Sequence, residues 1–196
     1  MELYKEFIMA DFIKAFKRTM TSEGIYSNDK DDPGGETVYG ISRVWNPQWG
    51  GWSEVDKLKK ENQNKDDLIR ALMDSIIIRN QREIFYEIEY WNKFKGGQIQ
   101  NQFLAEAMFD CSVHHGVSFT VKSLQKSLNL ILKYSLKVDG KFGSNTLDAL
   151  KKAEQLDYDD TLRKMLLVHR GNLFIILSKK SEYNWKRLKG YFNRIF

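Results

Sequence analysis

The 196 residues allow one domain or two small lobes sharing a core, and a 42% hydrophobic content can fill a sizeable interior. The 31 Lys and Arg against 26 Asp and Glu leave +5, a mild excess that favours anionic partners without selecting among them and that fits a plain solvated basic surface equally well. Cys111 is the single cysteine, which excludes an intramolecular disulfide and leaves packing to hold the fold in a reducing compartment; an apolar run of about 18 residues, as a membrane-spanning helix needs, is absent.

In chain order, Met9, Phe12, Ile13, Phe16 and Met20 fall at i, i+3, i+4, i+7 and i+11, the spacing of one helix face. Glu23 continues that stripe three residues on, and Gly24 follows where a left-handed cap would end the helix. Partial burial and the negative pole of the helix would both disfavour the ionised carboxylate, making Glu23 a proton donor near neutral pH. The plain alternative is a side chain bent out to solvent at a fraying helix end.

The next residues are polar and carry Asp29, Asp31 and Asp32. Asp32-Pro33-Gly34-Gly35 supplies turn chemistry that folds the chain back. A hairpin-like return would bring a second carboxylate opposite Glu23, and a protonated and an ionised carboxyl facing each other across a cleft suit glycosidic bond cleavage. Asp32 stands nine residues after Glu23, and Thr37 five residues further on. Asp29 is the fallback for the second carboxylate, and a simple turn-forming role for Asp32 stays open.

Trp45, Asn46, Pro47, Gln48, Trp49, Gly50, Gly51 and Trp52 read as a loop. Its three tryptophans either stack on sugar faces or pin the loop to the core. Ser53 with Asp56, and Asn64 with Asp67, resemble capping boxes. The helix after Asn64 is expected to run to about Tyr90, with Ile77, Ile84, Ile88 and Trp91 on one face. Gly96-Gly97 is the clearest break. Beyond it, Leu104, Ala107, Met108, Cys111 and His115 share a helix face with a stop at Gly116. Val121, Leu124, Leu128, Ile131 and Leu132 form another face, and Val138-Asp139-Gly140 to Thr146 makes a turn and a new helix start. Leu162, Leu166, His169, Leu173 and Ile176 mark a last long stripe.

Glu23-Gly24-Ile25-Tyr26, then Asn28 to Thr37, then Tyr39-Gly40-Ile41-Ser42 resemble the signature of the glycoside hydrolase family 108 N-acetylmuramidases, found among phage endolysins and export-linked muramidases. The spacing of Glu23, Asp32 and Thr37 is also similar to the acid, aspartate and threonine set of phage lysozymes. Further on, Tyr90-Trp91-Asn92 resembles the close of the family's catalytic lobe. Asp110, His115-Gly116, Leu124-Gln125 and Val138-Asp139-Gly140 resemble its C-terminal lobe and helical peptidoglycan-binding modules. His114 stands where the family pattern has Asn, and Tyr191 where it has Trp.

The resemblance implies a mainly α, lysozyme-like helical fold with a small hairpin or loop as active-site segment. It implies a catalytic lobe over residues 1–95 and a peptidoglycan-binding-like lobe over 96–196, packed as one compact unit. The implied reaction is hydrolysis of the β-1,4 bond between N-acetylmuramic acid and N-acetylglucosamine. Glu23 would be the general acid, and Asp32 with Thr37 would hold water; Tyr26, Asp29, Tyr39, Trp45, Trp49 and Trp52 are the candidate substrate contacts.

No cofactor and no metal is expected. His114 and His115 are adjacent, so on a helix they point about 100° apart, and no zinc-type spacing occurs. The expected partner is the peptidoglycan glycan strand, with a holin or an exporter as the route to it, no nucleic acid, no stable membrane insertion and a monomeric state. Glu2, Lys5, Glu6 and Asp11 stand where a signal peptide would be apolar, so synthesis without one is expected, followed by action on the wall after export or release. A non-hydrolytic wall-binding or phage structural protein and a lytic transglycosylase are the competing readings.

Overall fold

The computed structural model describes residues 9–20, 24–29 and 34–195, so Glu23, Asp31 and Asp32 lie outside the described residues. The described chain is mainly helical with one small antiparallel sheet, as expected of a lysozyme-like fold. It divides into two compact units, residues 16–89 and residues 1–15 with 90–196.

Helix α1 (Phe12–Met20) starts where the Asp11 carboxylate accepts the Lys14 amide at 3.1 Å, an N-cap bond. That cap leaves Met9 ahead of the helix and turns Ile13 outward, 46% and 38% exposed, so the apolar stripe narrows to Phe12, Ala15, Phe16 and Thr19. The helix end expected at Glu23 lies outside the described residues.

In the unit of residues 16–89, strands β1 (Tyr26–Ser27), β2 (Thr37–Val38) and β3 (Ile41–Ser42) form an antiparallel sheet in the order β1-β2-β3. The pairs are Tyr26 with Val38, Ser27 with Thr37, Thr37 with Ser42 and Val38 with Ile41. Val38 and Ile41 are fully buried and seat the sheet on the core. The expected hairpin return is therefore present.

Helix α2 (Trp52–Glu61) begins at Gly51, without a side-chain cap. Ser53 and Asp56 form no capping box, because burial of Trp52 draws the helix start forward and Arg43 takes the Asp56 carboxylate. Helix α3 (Lys65–Asp74) starts as expected at Asn64, whose side chain accepts the Asp66 amide at 2.8 Å.

The long helix expected next is two helices. Ser75 is extended, ends α3 and caps α4 (Ile76–Tyr86) by accepting the Ile78 amide. This break resets the helical phase. Leu68, Leu72, Ile78 and Tyr86 are buried, while Ile77, Ile84 and Ile88 are about half exposed instead of forming the core face. A π-helical turn, Glu87–Trp91, follows.

In the other unit, Trp91 packs edge-on with Phe94 at 5.5 Å and tilted on Phe12 at 5.8 Å, and Phe12 meets Phe109 at 5.7 Å. Gly96, in the 3-10 turn Gly96–Gln98, lies against the Trp91 ring so closely that a Cβ would enter it. The expected lobe boundary at Gly96-Gly97 falls inside this packed turn.

Helix α5 (Gln102–His115), capped by Asn101 and stopped by Gly116 at φ 84°, and α6 (Val117–Leu132) bury the expected Leu104, Met108, Cys111, Val121, Leu124 and Leu128. Burial pushes the Cys111 thiol up to about 11, which keeps it unreactive. Helix α7 (Ser144–Gln155) follows the Asp139-Gly140 turn. Buried Gln125 holds that turn: its Nε2 donates to Asp139 Oδ1, the Lys141 carbonyl and Thr146 Oγ1, and its Oε1 accepts the Gly140 amide.

Helix α8 (Asp159–Lys180) packs with α9 (Glu182–Ile195), where Tyr191 stacks on Phe174 at 4.5 Å. The buried face of α8 is Leu162, Leu166, Arg170 and Phe174; Ile176 is half exposed. The face is rotated from the expected one because Arg170, 2% exposed, is drawn inward by Asp110 at 2.6 Å. His114 also reaches Asp110, at 3.2 Å.

Candidate active site

The hairpin that the sequence marks as the site is held by side chains more than by its short backbone ladder. Gly35, at φ 60°, makes the left-handed turn into β2, and a Cβ there would press on Val44 at 3.1 Å. The Thr37 hydroxyl donates to the Gly35 carbonyl at 3.2 Å, which leaves its lone pairs to accept from a water. The Ser42 hydroxyl donates to the Gly34 carbonyl and accepts the Trp45 amide at 3.3 Å.

Beside Thr37 sits a carboxylate that sequence reasoning missed. The Glu36 side chain is 10% exposed; its Oε2 lies 2.7 Å from Arg43 Nε, and its Oε1 lies 2.6 Å from Lys59 Nζ and accepts the Tyr26 hydroxyl at 2.9 Å. Arg43 in turn grips Asp56 through two bonds of 2.6 and 3.2 Å, which lowers the Asp56 pKa, and its guanidinium lies 4.3 Å over the Trp52 ring. Register held the signal. Continuing the Thr37 to Ser42 pairing by one step sets Glu36 opposite Arg43, a cross-strand charge pair.

The candidate substrate contacts separate by environment. Tyr26 is partly buried, its hydroxyl is committed to Glu36, and burial followed by that bond raises its pKa to about 12. Asp29 is exposed beside β1. Tyr39 occupies the turn between β2 and β3 at φ 49°, a conformation that bulky residues rarely adopt. Its amide donates to the Ile25 carbonyl at 2.8 Å and its carbonyl accepts the Tyr86 hydroxyl at 2.9 Å. The Arg82 guanidinium stacks 4.3 Å from the Tyr39 ring and 5.0 Å from Phe16.

Trp45 is 72% exposed, whereas Trp49 and Trp52 are 7% and 5% exposed. Those two pack edge-on at 4.9 Å, and their indole N–H groups donate to the Gln81 and Asn46 carbonyls. Of the two roles open for the tryptophans, Trp49 and Trp52 take the core role, because rings enclosed on both faces offer none to a sugar. Trp45 alone keeps an open face.

The Gln125 turn borders a cleft of about 290 Å³ lined among others by Lys137, Asp139, Lys141, Asn145 and Thr146. Among the described residues, no group of His, Cys, Asp and Glu is arranged to hold a metal ion, and no helix is long and apolar enough to cross a membrane.

Residues 16–116 match the glycosyl hydrolase 108 family model, and residues 119–196 match a predicted peptidoglycan domain. The solved structure of Brucella abortus SagA is similar over 94% of this chain and 92% of that one, with a TM-score of 0.58 and 23% identity, a likeness of fold. No curated protein matches the chain. With over half of its length matched, the chain belongs to the glycosyl hydrolase 108 family and is a peptidoglycan hydrolase of the N-acetylmuramidase type.

Proposed function

We propose that Glu23 is the general acid of this muramidase and that Asp32, assisted by Thr37, holds the attacking water. The observation that carries the assignment is the hairpin return: β1 pairs with β2, with Ser27 opposite Thr37. In sequence Glu23 precedes β1 by three residues and Asp32 falls between β1 and β2, and the pairing of those two strands supports the reading that the two carboxyls approach each other. Thr37, with its proton given to Gly35, is free to accept from water.

In the proposed step the Glu23 proton goes to the glycosidic oxygen, the bond from that oxygen to the muramic acid C1 breaks, and water oxygen bonds to C1 while its proton goes to Asp32. Inversion follows if the two carboxyls stand about 6.5–9.5 Å apart. Trp45 and Tyr39 are the proposed sugar contacts, with Asp29 at the edge of β1. A phage-type bacteriolytic role as an endolysin, delivery past the membrane by a holin or exporter, and a monomeric state complete the reading.

The test is product mass spectrometry on purified peptidoglycan with wild type and Glu23→Gln, a near-isosteric change that removes the proton donor. Soluble muropeptides with reducing N-acetylmuramic acid ends from wild type alone establish the assignment. Anhydro ends, lighter by one water, would make the protein a transglycosylase instead.

A further inference from the structure

Arg82 differs from the other arginines of its unit. Arg43 is bound by Glu36 and Asp56, Arg70 by Asp67, and Arg18 and Arg79 are exposed. Arg82 is partly buried, its Nε is enclosed without a hydrogen-bond acceptor, and among the described residues no carboxylate forms an ion pair with it. Glu83, its neighbour in sequence, contributes to the field at Arg82 but makes no ion pair with it. The Phe16 and Tyr39 rings lie over the guanidinium, and such stacking offsets only part of the lost hydration. Burial accordingly disfavours its charged form.

The stack also fixes how Arg82 can be approached. The Tyr39 and Phe16 ring centres lie 4.3 and 5.0 Å from Arg82 Cζ and Nε is enclosed, so the two terminal nitrogens are what remain for a ligand, and their paired N–H donors match a carboxylate. Tyr39, which supplies one ring, is kept in its left-handed turn by Ile25 and Tyr86, next to Thr37. Backbone strain of this kind gathers where a site is being shaped.

We infer that Arg82 is a specificity residue of the catalytic unit and receives a carboxylate carried on the muramic acid side of the substrate. This rests on the muramidase activity and adds to it the feature by which muramic acid is told from glucosamine. N-acetylglucosamine is uncharged. A muramic acid residue bears a lactyl arm that ends either in a free carboxylate or in a peptide stem with its own carboxylates. The shared chemistry is one carboxylate on a tether from the sugar ring.

The test measures kcat and KM for wild type, Arg82→Gln and Arg82→Lys on three substrates: intact peptidoglycan, the glycan freed of its peptides by an amidase, and intact peptidoglycan with its carboxyls converted to carboxamides by a carbodiimide and ammonia. On carboxylate-bearing substrate Arg82→Gln is expected to raise KM about tenfold with kcat nearly unchanged, and Arg82→Lys to recover part of the loss. On the carboxamide substrate wild type and Arg82→Gln are expected to coincide. An effect on the peptide-free glycan assigns the lactyl carboxylate; an effect confined to intact material assigns the stem.

Equal loss on charged and neutral substrate would make Arg82 a structural clamp and overturn the inference. Wild type alone provides a check that needs no folded variant, because its own KM must rise when the carboxyls are blocked. An unchanged wild-type KM overturns the inference while leaving the muramidase intact, whereas failure of wild type to cleave any of the three removes both.

Discussion

Glu36 and Arg43 face each other across β2 and β3 at 2.7 Å, and Lys59 closes on the same carboxylate at 2.6 Å. With Glu36 only 10% exposed and its partners about one-third exposed, the clamp is intermediate between a surface pair and a buried one. Glu36→Gln should therefore cost about 2 kcal/mol in denaturant unfolding, less than a fully enclosed pair. It should also lower the Tyr26 pKa, since Glu36 raises it, and phenolate absorbance would report the shift.

The same tyrosine sets an alkaline limit. Its folded pKa of about 12 lies above the ordinary tyrosine value of 10.0, so the folded state holds the proton more tightly. The associated stability is complete below the unfolded value and is lost as pH rises through the folded one. Thermal melts should lose stability across this window in wild type, and less in Tyr26→Phe.

Asp29 and Asp32 compete for the water-holding role. Asp32→Asn is expected to reduce kcat by about a hundredfold or more, the scale of a lost general base, with folding unchanged. Asp29→Asn should keep most of the rate. A reversal of the two, measured by release of reducing ends, would move the role to Asp29.

Trp45 and Trp49 should part company when each becomes Ala. Trp45→Ala, at a ring 72% exposed, is expected to raise KM on glycan several-fold with an unchanged melting temperature. Trp49→Ala empties a core position and should cost about 3 kcal/mol.

Asp110→Asn leaves Arg170, 2% exposed, as a buried cation without its carboxylate, and should cost about 3 kcal/mol by urea titration. Arg170→Met combined with Asp110→Asn should cost less than the sum of the two single changes, because neither charge is then stranded.

The fold was legible wherever one residue settles a local choice. Asn64 starts a helix through its side chain, Gly116 stops one through its φ, and the Asp139-Gly140 turn precedes α7, all three where the sequence puts them. The hairpin was equally legible from its glycines. The misread faces came from interactions distant in sequence or from a single cap. Ser75 splits one apparent helix into two and shifts the phase of Ile77, Ile84 and Ile88, and Asp110 pulls Arg170 into a face that periodicity alone assigns to aliphatic residues. Of the residues proposed for the site, Thr37 and Tyr39 could be named from the motif. Glu36 and Arg82 could not, because their meaning lies in partners, or the lack of them, that become visible only once strands and helices are packed.

The sheet that carries Thr37 has strands of only two residues each, so much of its firmness comes from the Glu36, Arg43 and Lys59 charges instead of from a backbone ladder. Charges at this depth are partly screened by salt, whereas the apolar cores of α5 and α6 are not. Ionic strength thus becomes a control on local opening: backbone amides of the hairpin should exchange with deuterium faster as salt is raised, while those of the helices keep their protection.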